Sequence, residues 1–323
     1  MKDENNMFDP RFGKKPSRFV GRDDVLRDIE AAMSDGDAAE RVLLITGIRG
    51  AGKTSILAEA REMVQSYESA PSLRTAEGSA AIRHPEAFII DDAGKDVSGL
   101  VEMLADYGKW MQKGDAPLLI LAGQPQAIDE LLKDNELAYL RRARRLSLGN
   151  VREDEVFALF RKALEDAGGG NAFTGRKDLV TKALRRAADA TDGHPYIIQL
   201  IGYYLSKESK NIDDKAVDKA VFLAKIELYK NIHEPLVWGL SSKDRMFLWA
   251  MAQDEGASEF GEIARRMGVS AGYVSKYRER LINAGVIYRS AYGELAFTLP
   301  YMREYIEKEY IERLGGEGGK RRL

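Results

Sequence analysis

The chain has 323 residues, of which 44% are hydrophobic and 31% are charged, as in an ordinary globular protein. This length exceeds what one hydrophobic core usually serves, so we expect two or three domains. The lack of cysteine excludes disulfides and thiolate metal sites, and the three histidines are too far apart in sequence to indicate a metal site. The formal net charge is −2, so any nucleic-acid site must depend on a local basic patch.

Residues 1–15 are polar and mixed in charge, and they lack the apolar stretch of a secretory signal. We therefore predict a flexible leader there. The longest apolar runs, such as Pro117–Gly123, are too short to cross a bilayer. The expectation is a cytoplasmic protein with no membrane partner.

The first half of the chain alternates short apolar runs with helical patterns. Strands alternating with helices are typical of an α/β fold with a parallel sheet and helices on both faces, here over residues 16–148. The predicted strands are Arg41–Thr46, Ala87–Ile90, Pro117–Ala122 and Leu146–Leu148. The predicted helices are Arg22–Met33, Lys53–Tyr67 and Val97–Gln112.

After residue 148 the strand patterns stop, and two further regions follow. Residues 241–314 show three short helices, then a two-stranded hairpin, then a closing helix. Residues 315–323 are rich in glycine and are predicted to form a disordered tail. Residues 149–240 are predicted to form a helical domain, with helices at Arg152–Ala167, Lys177–Thr191, Tyr196–Lys207 and Asp213–Tyr229.

The segment Gly47–Thr54 matches the phosphate-binding pattern G-x-x-x-x-G-K-[ST] at every fixed position, between an apolar strand and a helix. Glycines let the backbone approach phosphate oxygens, and the N–H groups at the start of a helix form an anion site. Lys53 is predicted to bind the β- and γ-phosphates of ATP or a similar nucleoside triphosphate and to act in catalysis, and the Thr54 hydroxyl to bind Mg²⁺. The predicted nucleotide-binding residues of this loop are Gly47, Arg49, Gly50, Ala51, Gly52, Lys53, Thr54 and Ser55.

A second magnesium-binding residue is expected at the end of another strand. The apolar residues Phe88–Ile90 are followed by the carboxylates Asp91 and Asp92. Asp91 is predicted to hold Mg²⁺ directly or through water, and Asp92 to orient or deprotonate the attacking water. The alternative is a strand that ends in a solvated acidic turn, which a phosphate loop in the same chain disfavours.

Together these motifs resemble the AAA+ and STAND branches of the P-loop ATPases, in particular prokaryotic relatives of the origin-recognition type initiators. The resemblance extends from about Pro16 to Leu314. It implies an ATPase core, a helical lid over residues 149–240 and a C-terminal winged helix.

The resemblance also implies residues that contact the nucleotide base. The segment Pro16–Arg22 is similar to the family segment that packs near the adenine, which implicates Phe19, Val20 and Gly21. In the lid, Gly193–Pro195 is similar to the G-x-P motif of STAND proteins, in which the proline approaches the nucleotide. A G-x-P sequence by itself is also a common helix start.

Two catalytic residues are implied in the same way. Gln124 follows the strand that resembles the sensor strand of the family, and it is a candidate for sensing the γ-phosphate. The segment Tyr139–Arg145 lies where the family often places an arginine finger, and Arg142 is the candidate within it. Four arginines in five positions also fit a solvated helix end beside an acidic neighbour.

The chain departs from the AAA+ pattern at two points. AAA+ motors usually have glutamate where this chain has Asp92, and a shorter carboxylate favours a slow switch over a motor. In addition, only 38 positions separate Lys53 from Asp91, too few for the usual second strand and a full helix. A vestigial edge strand is predicted at Ser72–Thr75, and its loss would leave the Asp91 strand poorly covered.

Residues 241–300 resemble a winged helix-turn-helix module. They contain eight basic and seven acidic residues, which is far from a strongly basic DNA-binding domain. The alternative is a winged helix that contacts protein or packs on the ATPase core. The candidate residues for binding double-stranded DNA are Tyr273, Ser275, Lys276, Arg278, Arg280 and Arg289.

The leading hypothesis is an ATP-dependent switch that slowly hydrolyses ATP and reports its state to DNA through the winged helix. A second hypothesis is a protein-interaction scaffold that ATP stabilises and that shows little turnover. A third is a DNA-binding ATPase that resembles a replication initiator. An arginine finger acting in trans would require self-assembly.

Overall fold

The computed structural model of the chain describes residues 6–11, 13–34, 37, 39–68, 87–94, 97–114, 117–167, 177–208 and 212–316. The strand predicted at Ser72–Thr75, and parts of the predicted leader and tail, lie outside these residues. The chain divides into two compact units, Met1–Val221 and Phe222–Leu323. The boundary lies inside a helix, upstream of the boundary predicted at residue 240.

In the first unit the strands are β1 (Val42–Thr46), β2 (Ala87–Ile90), β3 (Leu118–Gly123) and β4 (Arg144–Ser147), and a 3-10 turn at Ala138–Arg142 precedes β4. The helices are α1 (Asp23–Ser34), α2 (Lys53–Glu68), α3 (Leu100–Gln112), α4 (Pro125–Leu132), α5 (Glu153–Asp166), α6 (Lys177–Asp189), α7 (Pro195–Lys207) and α8 (Asp214–Leu228), which continues into the second unit. The predicted elements are present to within a few residues at their ends, and α4 was not predicted.

The four strands form a parallel sheet in the order β2-β3-β1-β4. β1 lies in the interior and pairs with β3 from Val42 opposite Leu119 to Thr46 opposite Gly123. On its other side β1 pairs with β4. The predicted parallel α/β fold is therefore confirmed, and the carboxyl ends of all four strands meet at one edge.

The core lies on both faces of this sheet. Because successive side chains of a strand point to opposite faces, the apolar runs of β1 and β3 supply two layers. One layer packs on α3 and α4, and the other packs on α1 and α2. The first layer contains Val42, Leu44, Leu119 and Leu121, and the second contains Leu43, Ile45, Leu118 and Ile120.

The edge strand β2 is half-buried along its whole length. An aromatic group covers one face, where the Phe88 ring stacks on Trp110 at 5.8 Å and meets Tyr107 edge-on at 6.3 Å. Tyr107 is fully buried and its hydroxyl donates to the carbonyl of Pro117 at 2.6 Å. These contacts stabilise the strand that carries Asp91.

The fourth strand was predicted at Leu146–Leu148 and lies instead at Arg144–Ser147. As an edge strand it buries only Leu146, so apolar periodicity does not reveal its start. The exposed Arg144 forms an ion pair with Asp28 of α1 at 2.5 Å. Part of the arginine cluster therefore belongs to the sheet.

The described part of the leader has fixed contacts with the helical lid. The buried Phe8 ring meets Phe160 of α5 edge-on at 5.6 Å, and the Asp9 amide donates to Gln199 of α7 at 3.0 Å. Phe8 lies so close to Gly202 that a Cβ there would be 2.5 Å from the ring. The mostly polar composition of the leader gave no indication that Phe8 is buried against the lid.

The second unit begins within α8, which a π-helical segment at Tyr229–His233 continues. A three-stranded antiparallel sheet has the order β5-β7-β6, of which β5 was not predicted. The helices are α9 (Glu234–Trp238), α10 (Ser242–Ala252), α11 (Phe260–Arg266), α12 (Ala271–Asn283) and α13 (Met302–Gly316). The strands are β5 (Ser258–Glu259), β6 (Ile287–Ala291) and β7 (Glu294–Phe297).

No helix within the described ranges combines the length and the apolar character needed to span a bilayer.

His233 is a buried titratable group in the second unit. Its Nδ1 lies 3.3 Å from the carbonyl oxygen of Leu228 and its Nε2 lies 3.0 Å from that of Pro300. The ring stacks on Tyr305 at 5.5 Å. Burial lowers the pKa of His233 to about 4, and the two carbonyl contacts oppose this only in part.

We predict that the free energy of unfolding of the second unit decreases as the pH falls from about 6.5 towards 4. In that range the unfolded chain binds a proton at His233 and the folded chain does not, so stability rises with pH by at most about 1.4 kcal/mol per pH unit. Urea unfolding followed by tryptophan fluorescence in a Trp110→Phe background reports on this unit, because Trp238 and Trp249 both belong to it. His233→Gln should remove the dependence, and an unchanged slope would contradict the assignment.

Candidate nucleotide-binding site

The carboxyl edge of the sheet brings together the ends of its four strands. β1 runs into the phosphate loop, β2 ends before Asp91, and β3 ends before Gln124. The Gly47 amide donates to the Gly123 carbonyl at 3.3 Å, and the Leu148 amide after β4 donates to the Thr46 carbonyl at 2.7 Å. The predicted loop and the two predicted strand ends are thus neighbours in the fold.

Lys53 is held against the inside of the loop. Its Nζ donates to the carbonyls of Gly47 at 2.9 Å and Ile48 at 3.1 Å. Burial lowers the pKa of Lys53, while the carboxylates of Asp91 and Asp92 act in the opposite direction. The arrangement places a cation on a loop whose helix begins at the same residue, and both features attract an anion.

Thr54 and Asp91 form a direct pair at the start of α2. The Thr54 hydroxyl donates to Asp91 Oδ2 at 2.6 Å, so two side-chain oxygen atoms lie side by side. Such a donor set fits Mg²⁺, which binds oxygen and keeps several waters. Within the described ranges no group of three or more His, Cys, Asp or Glu side chains could hold a metal ion. A cation here would therefore need phosphate or water oxygens as further ligands.

Asp92 has an unusual backbone conformation directly after this pair. Its φ of 54° lies in the left-handed region, and its amide donates to Asp91 Oδ1 at 2.9 Å. This bond orients the Asp91 carboxylate, and it leaves the Asp92 side chain exposed at the strand end. A strained non-glycine residue at such a position is often part of a functional site.

Three groups from outside the loop bind three successive carbonyls on its outer side. His194 Nε2 lies 2.9 Å from the Arg49 oxygen, and the Tyr196 amide donates to the Gly50 oxygen at 3.2 Å. Arg22 Nη2 lies 3.3 Å from the Ala51 oxygen. Because the C=O of one residue and the N–H of the next are antiparallel across a trans peptide, these contacts also set the directions of the loop amides.

Arg22 connects the loop to the start of the lid. Its guanidinium is buried and also donates to the Gly149 carbonyl at 2.7 Å. Burial lowers the pKa of Arg22, and the carboxylate of Glu155 opposes the shift. The sequence motifs predicted no role for Arg22 or His194, although Arg22 ends the segment Pro16–Arg22 and His194 lies within Gly193–Pro195.

Close packing explains two of the glycines at this site. A Cβ on Gly50 would lie 2.5 Å from His194 Cε1, and a Cβ on Gly193 would lie 2.1 Å from the Val151 carbonyl oxygen. Both residues also have positive φ, 76° and 64°. Glycine at position 50 therefore lets the loop approach the lid directly, and glycine at position 193 lets two segments of the lid pack together.

In the second unit, carboxylates pair with all three candidate DNA-binding arginines. Arg280 pairs with the buried Asp244 at 2.5 Å, and Asp244 also caps α10. Glu279 lies between Arg278 at 2.9 Å and Arg289 at 2.6 Å. These ion pairs favour a structural role for Arg280 and reduce the positive charge that α12 and β6 present.

Three other candidates lie at the start of α12. Lys276 Nζ lies 4.5 Å from the centre of the Tyr273 ring and 5.0 Å from that of Tyr277. The Tyr277 hydroxyl donates to the Tyr273 hydroxyl at 3.0 Å, and Tyr273 is 43% exposed. The Ser275 hydroxyl donates to the Ala271 carbonyl within the helix. Lys276 and Tyr273 therefore form an exposed basic and aromatic pair.

Comparison with solved structures identifies the fold. The Aeropyrum pernix ORC2 protein, in its ADPNP–ADP complexes, superposes with a TM-score of 0.59 over 95% of this chain and 98% of that chain, at 12% sequence identity. The chain shares its fold with this ORC2 protein. The Cdc6 protein of Pyrobaculum aerophilum gives a TM-score of 0.44 at 14% identity and covers 97% of this chain and 99% of its own. The DNA-bound ORC1 protein of Aeropyrum pernix gives a TM-score of 0.45 at 14% identity and covers 93% of this chain and 95% of its own.

Sequence comparison adds one match. Residues 230–306 match a family described as a domain of unknown function, DUF8462. No curated protein matches the sequence. The match covers most of the second unit. The matched range contains both His233 of the π-helical segment and the whole three-stranded sheet.

The residues expected near the base lie in two places, with Gly21 and Pro195 at the lid and Phe19 on the sheet. Gly21 packs against Glu155 and Val151 of the lid, and Phe19 packs half-buried on the α1 and α2 side of the sheet with Val20 beside it. Pro195 is the first residue of α7, next to His194. The structure thus brings Gly21 and Pro195 to the lid side of the phosphate loop.

The two residues implied as catalytic by resemblance lie at opposite ends of the strands, Gln124 after β3 and Arg142 before β4. Gln124 is half-buried at the carboxyl end of β3, between the loop and Asp91. Arg142 ends the 3-10 turn before β4, about 16 Å along the chain from the carboxyl edge. It is exposed and has no side-chain hydrogen bond or ion pair with any residue in the described ranges, whereas Arg141, Arg144 and Arg145 all do. Arg142 therefore lies at the end of the strands away from the loop of its own chain.

We predict that Gly193→Ala lowers the free energy of unfolding of the first unit by about 2–4 kcal/mol, through positive φ and overlap with the Val151 carbonyl. Gly149→Ala is a matched control at the same junction, because a Cβ there has open space. Urea unfolding of both variants measures the difference. Equal stability of the two variants would contradict the close packing of Gly193 on Val151.

Proposed function

We propose that the protein is a slow ATPase that binds ATP with Mg²⁺ and acts as a nucleotide-dependent switch coupled to DNA. The observation that carries the proposal is the pairing of Thr54 with Asp91 beside Lys53 at the carboxyl edge of the sheet. An oxygen pair for a divalent cation and a lysine on a phosphate loop are the two features that a nucleoside triphosphate requires. The ORC2 structure with the same fold contains nucleotide, which supports the proposal.

In this mechanism the chain first binds the triphosphate. The loop amides, oriented by the outer contacts, hold the phosphates, and Lys53 exchanges its carbonyl partners for phosphate oxygens. Thr54 and Asp91 would hold Mg²⁺, which would neutralise developing charge on the phosphates. In this proposal Asp92, which is exposed next to the site, orients the attacking water, and Gln124, half-buried after β3, senses the γ-phosphate.

The switch requires that the nucleotide have different affinities for two arrangements of core and lid. His194 and Tyr196 supply such a difference, because they belong to the lid and bind the loop, and Arg22 of the core links the loop to Gly149 at the start of the lid. Filling the loop with phosphates changes its shape and therefore the fit of these three partners. Hydrolysis then releases the lid.

We predict that Lys53→Ala and Asp91→Asn each reduce ATP turnover by about 100-fold or more, as expected for the loss of a preorganised charged group. Lys109→Ala is the control, since this exposed lysine pairs with Asp106 on α3, away from the loop. Steady-state hydrolysis measures turnover, and titration calorimetry measures ATP binding. Turnover that persists without Lys53, or a wild-type chain that does not bind ATP, would contradict the proposal.

For the coupling to DNA we propose the exposed pair of Tyr273 and Lys276 on α12, with Ser275 and the arginines around Glu279. Lysine and arginine neutralise phosphates, and the start of a helix suits a groove. A scaffold that binds protein is the second candidate, because the ion pairs of Arg278, Arg280 and Arg289 leave little free positive charge.

We predict that Lys276→Ala weakens duplex DNA binding and reduces the slope of log K against log salt by about 1. Glu279→Gln should strengthen binding, because it frees Arg278 and Arg289. Arg265→Ala on α11, whose side chain pairs with Glu262, is the control. Fluorescence anisotropy over a salt series measures all four proteins. Binding that does not depend on salt, or no binding by any of them, would favour the scaffold.

A further inference from the structure

We infer that His194 is a positioning residue that couples the helical lid to the alignment of the phosphate loop. The inference rests on the proposed function, because it assigns a regulatory contact to the proposed nucleotide site. It starts from one contact, the 2.9 Å approach of His194 Nε2 to the carbonyl oxygen of Arg49. This contact joins residues 145 positions apart in the chain, and His194 is fully buried.

The chemistry of the contact fixes the role of each atom. A carbonyl oxygen only accepts hydrogen bonds, so Nε2 carries the proton and donates. In the peptide between Arg49 and Gly50 the N–H points away from the carbonyl. By holding the Arg49 carbonyl on the lid side, His194 turns the Gly50 amide away from the lid, towards the inside of the loop.

The imidazole has little freedom to shift. Its own amide donates to the Thr191 carbonyl at 2.9 Å, and the preceding Gly193 accepts from the Val151 amide at 2.8 Å. On the loop side the ring is so close to Gly50 that even a Cβ would collide with it. A lid movement must therefore either carry the loop with it or break the hydrogen bond.

A second hydrogen bond connects the loop to the start of the same lid helix. The Tyr196 amide, at the start of α7, donates to the Gly50 carbonyl at 3.2 Å. Two adjacent loop carbonyls are thus bound by residues only two positions apart at the start of one lid helix. A change at the phosphates is transmitted to the N-terminus of α7 through these two peptides.

The test compares variants that keep or remove the Nε2 donor. The glutamine amide nitrogen reaches the position of Nε2, so His194→Gln should preserve the contact. His194→Ala removes the donor and His194→Asn places it too near the backbone. Leu184→Ala is the control for general loss of lid stability, because it removes a buried lid side chain beside Phe160 and Leu205.

Two measurements on the full-length chain separate positioning from stability. Titration with Mg²⁺ and a non-hydrolysable ATP analogue gives the affinity, and hydrogen exchange of α7 with and without the analogue gives the response of the lid. We expect His194→Ala and His194→Asn to lose about tenfold in affinity, as for one buried hydrogen bond, and to lose the protection of α7 by nucleotide. His194→Gln and Leu184→Ala should keep both.

Three results would overturn the inference. If all variants bind and protect α7 as the wild type does, His194 has no positioning role while the proposed function stands. If His194→Gln and Leu184→Ala fail as His194→Ala does, the residue only stabilises the lid. If the wild type itself does not bind the analogue, the proposed function and the inference both fail.

Discussion

The outer side of the phosphate loop is the constraint on which the proposed site depends. A loop that binds phosphate must direct its N–H groups inward, which leaves the carbonyls of the same peptides facing outward and needing partners. Here Arg22, His194 and Tyr196 supply them, at 3.3, 2.9 and 3.2 Å. Two of these partners, His194 and Tyr196, belong to the lid. The hydrogen bonds that satisfy these loop carbonyls therefore also attach the lid to the loop. This is why a nucleotide that reshapes the loop would also act on the lid.

The second unit shows how charge pairing limits a functional interpretation. Its helices and hairpin match the predicted pattern. Asp244 and Glu279, however, form ion pairs with the three arginines that the sequence predicted to bind DNA. An arginine held by a nearly inaccessible carboxylate stabilises the domain and is costly to detach. Lys276 and Tyr273 remain as the exposed pair, so the proposed DNA surface is narrower than the predicted one.

Local patterns predicted most of the fold because they report local physics. Continuous apolar runs predicted β1, β2 and β3, and the glycine-rich turn predicted the loop between β1 and α2. The start of β4 was missed because an edge strand with one buried residue carries no such run. Phe8 was missed because the few apolar residues of the polar leader show no period, although Phe8 is buried against Gly202.

The sequence by itself determined the glycine-rich loop between β1 and α2, Asp91 after its strand and the parallel α/β core, because each follows from residue type and spacing within one segment. The tertiary structure alone decided which distant groups meet. It placed His194 against Arg49 and Arg22 against Ala51. It also put Arg142 before the start of β4, at the other end of the strands from the loop, and paired Arg280 with Asp244. The physical reason is that hydrogen bonds and ion pairs between distant segments depend on how elements pack, and periodicity along the chain carries no record of that packing.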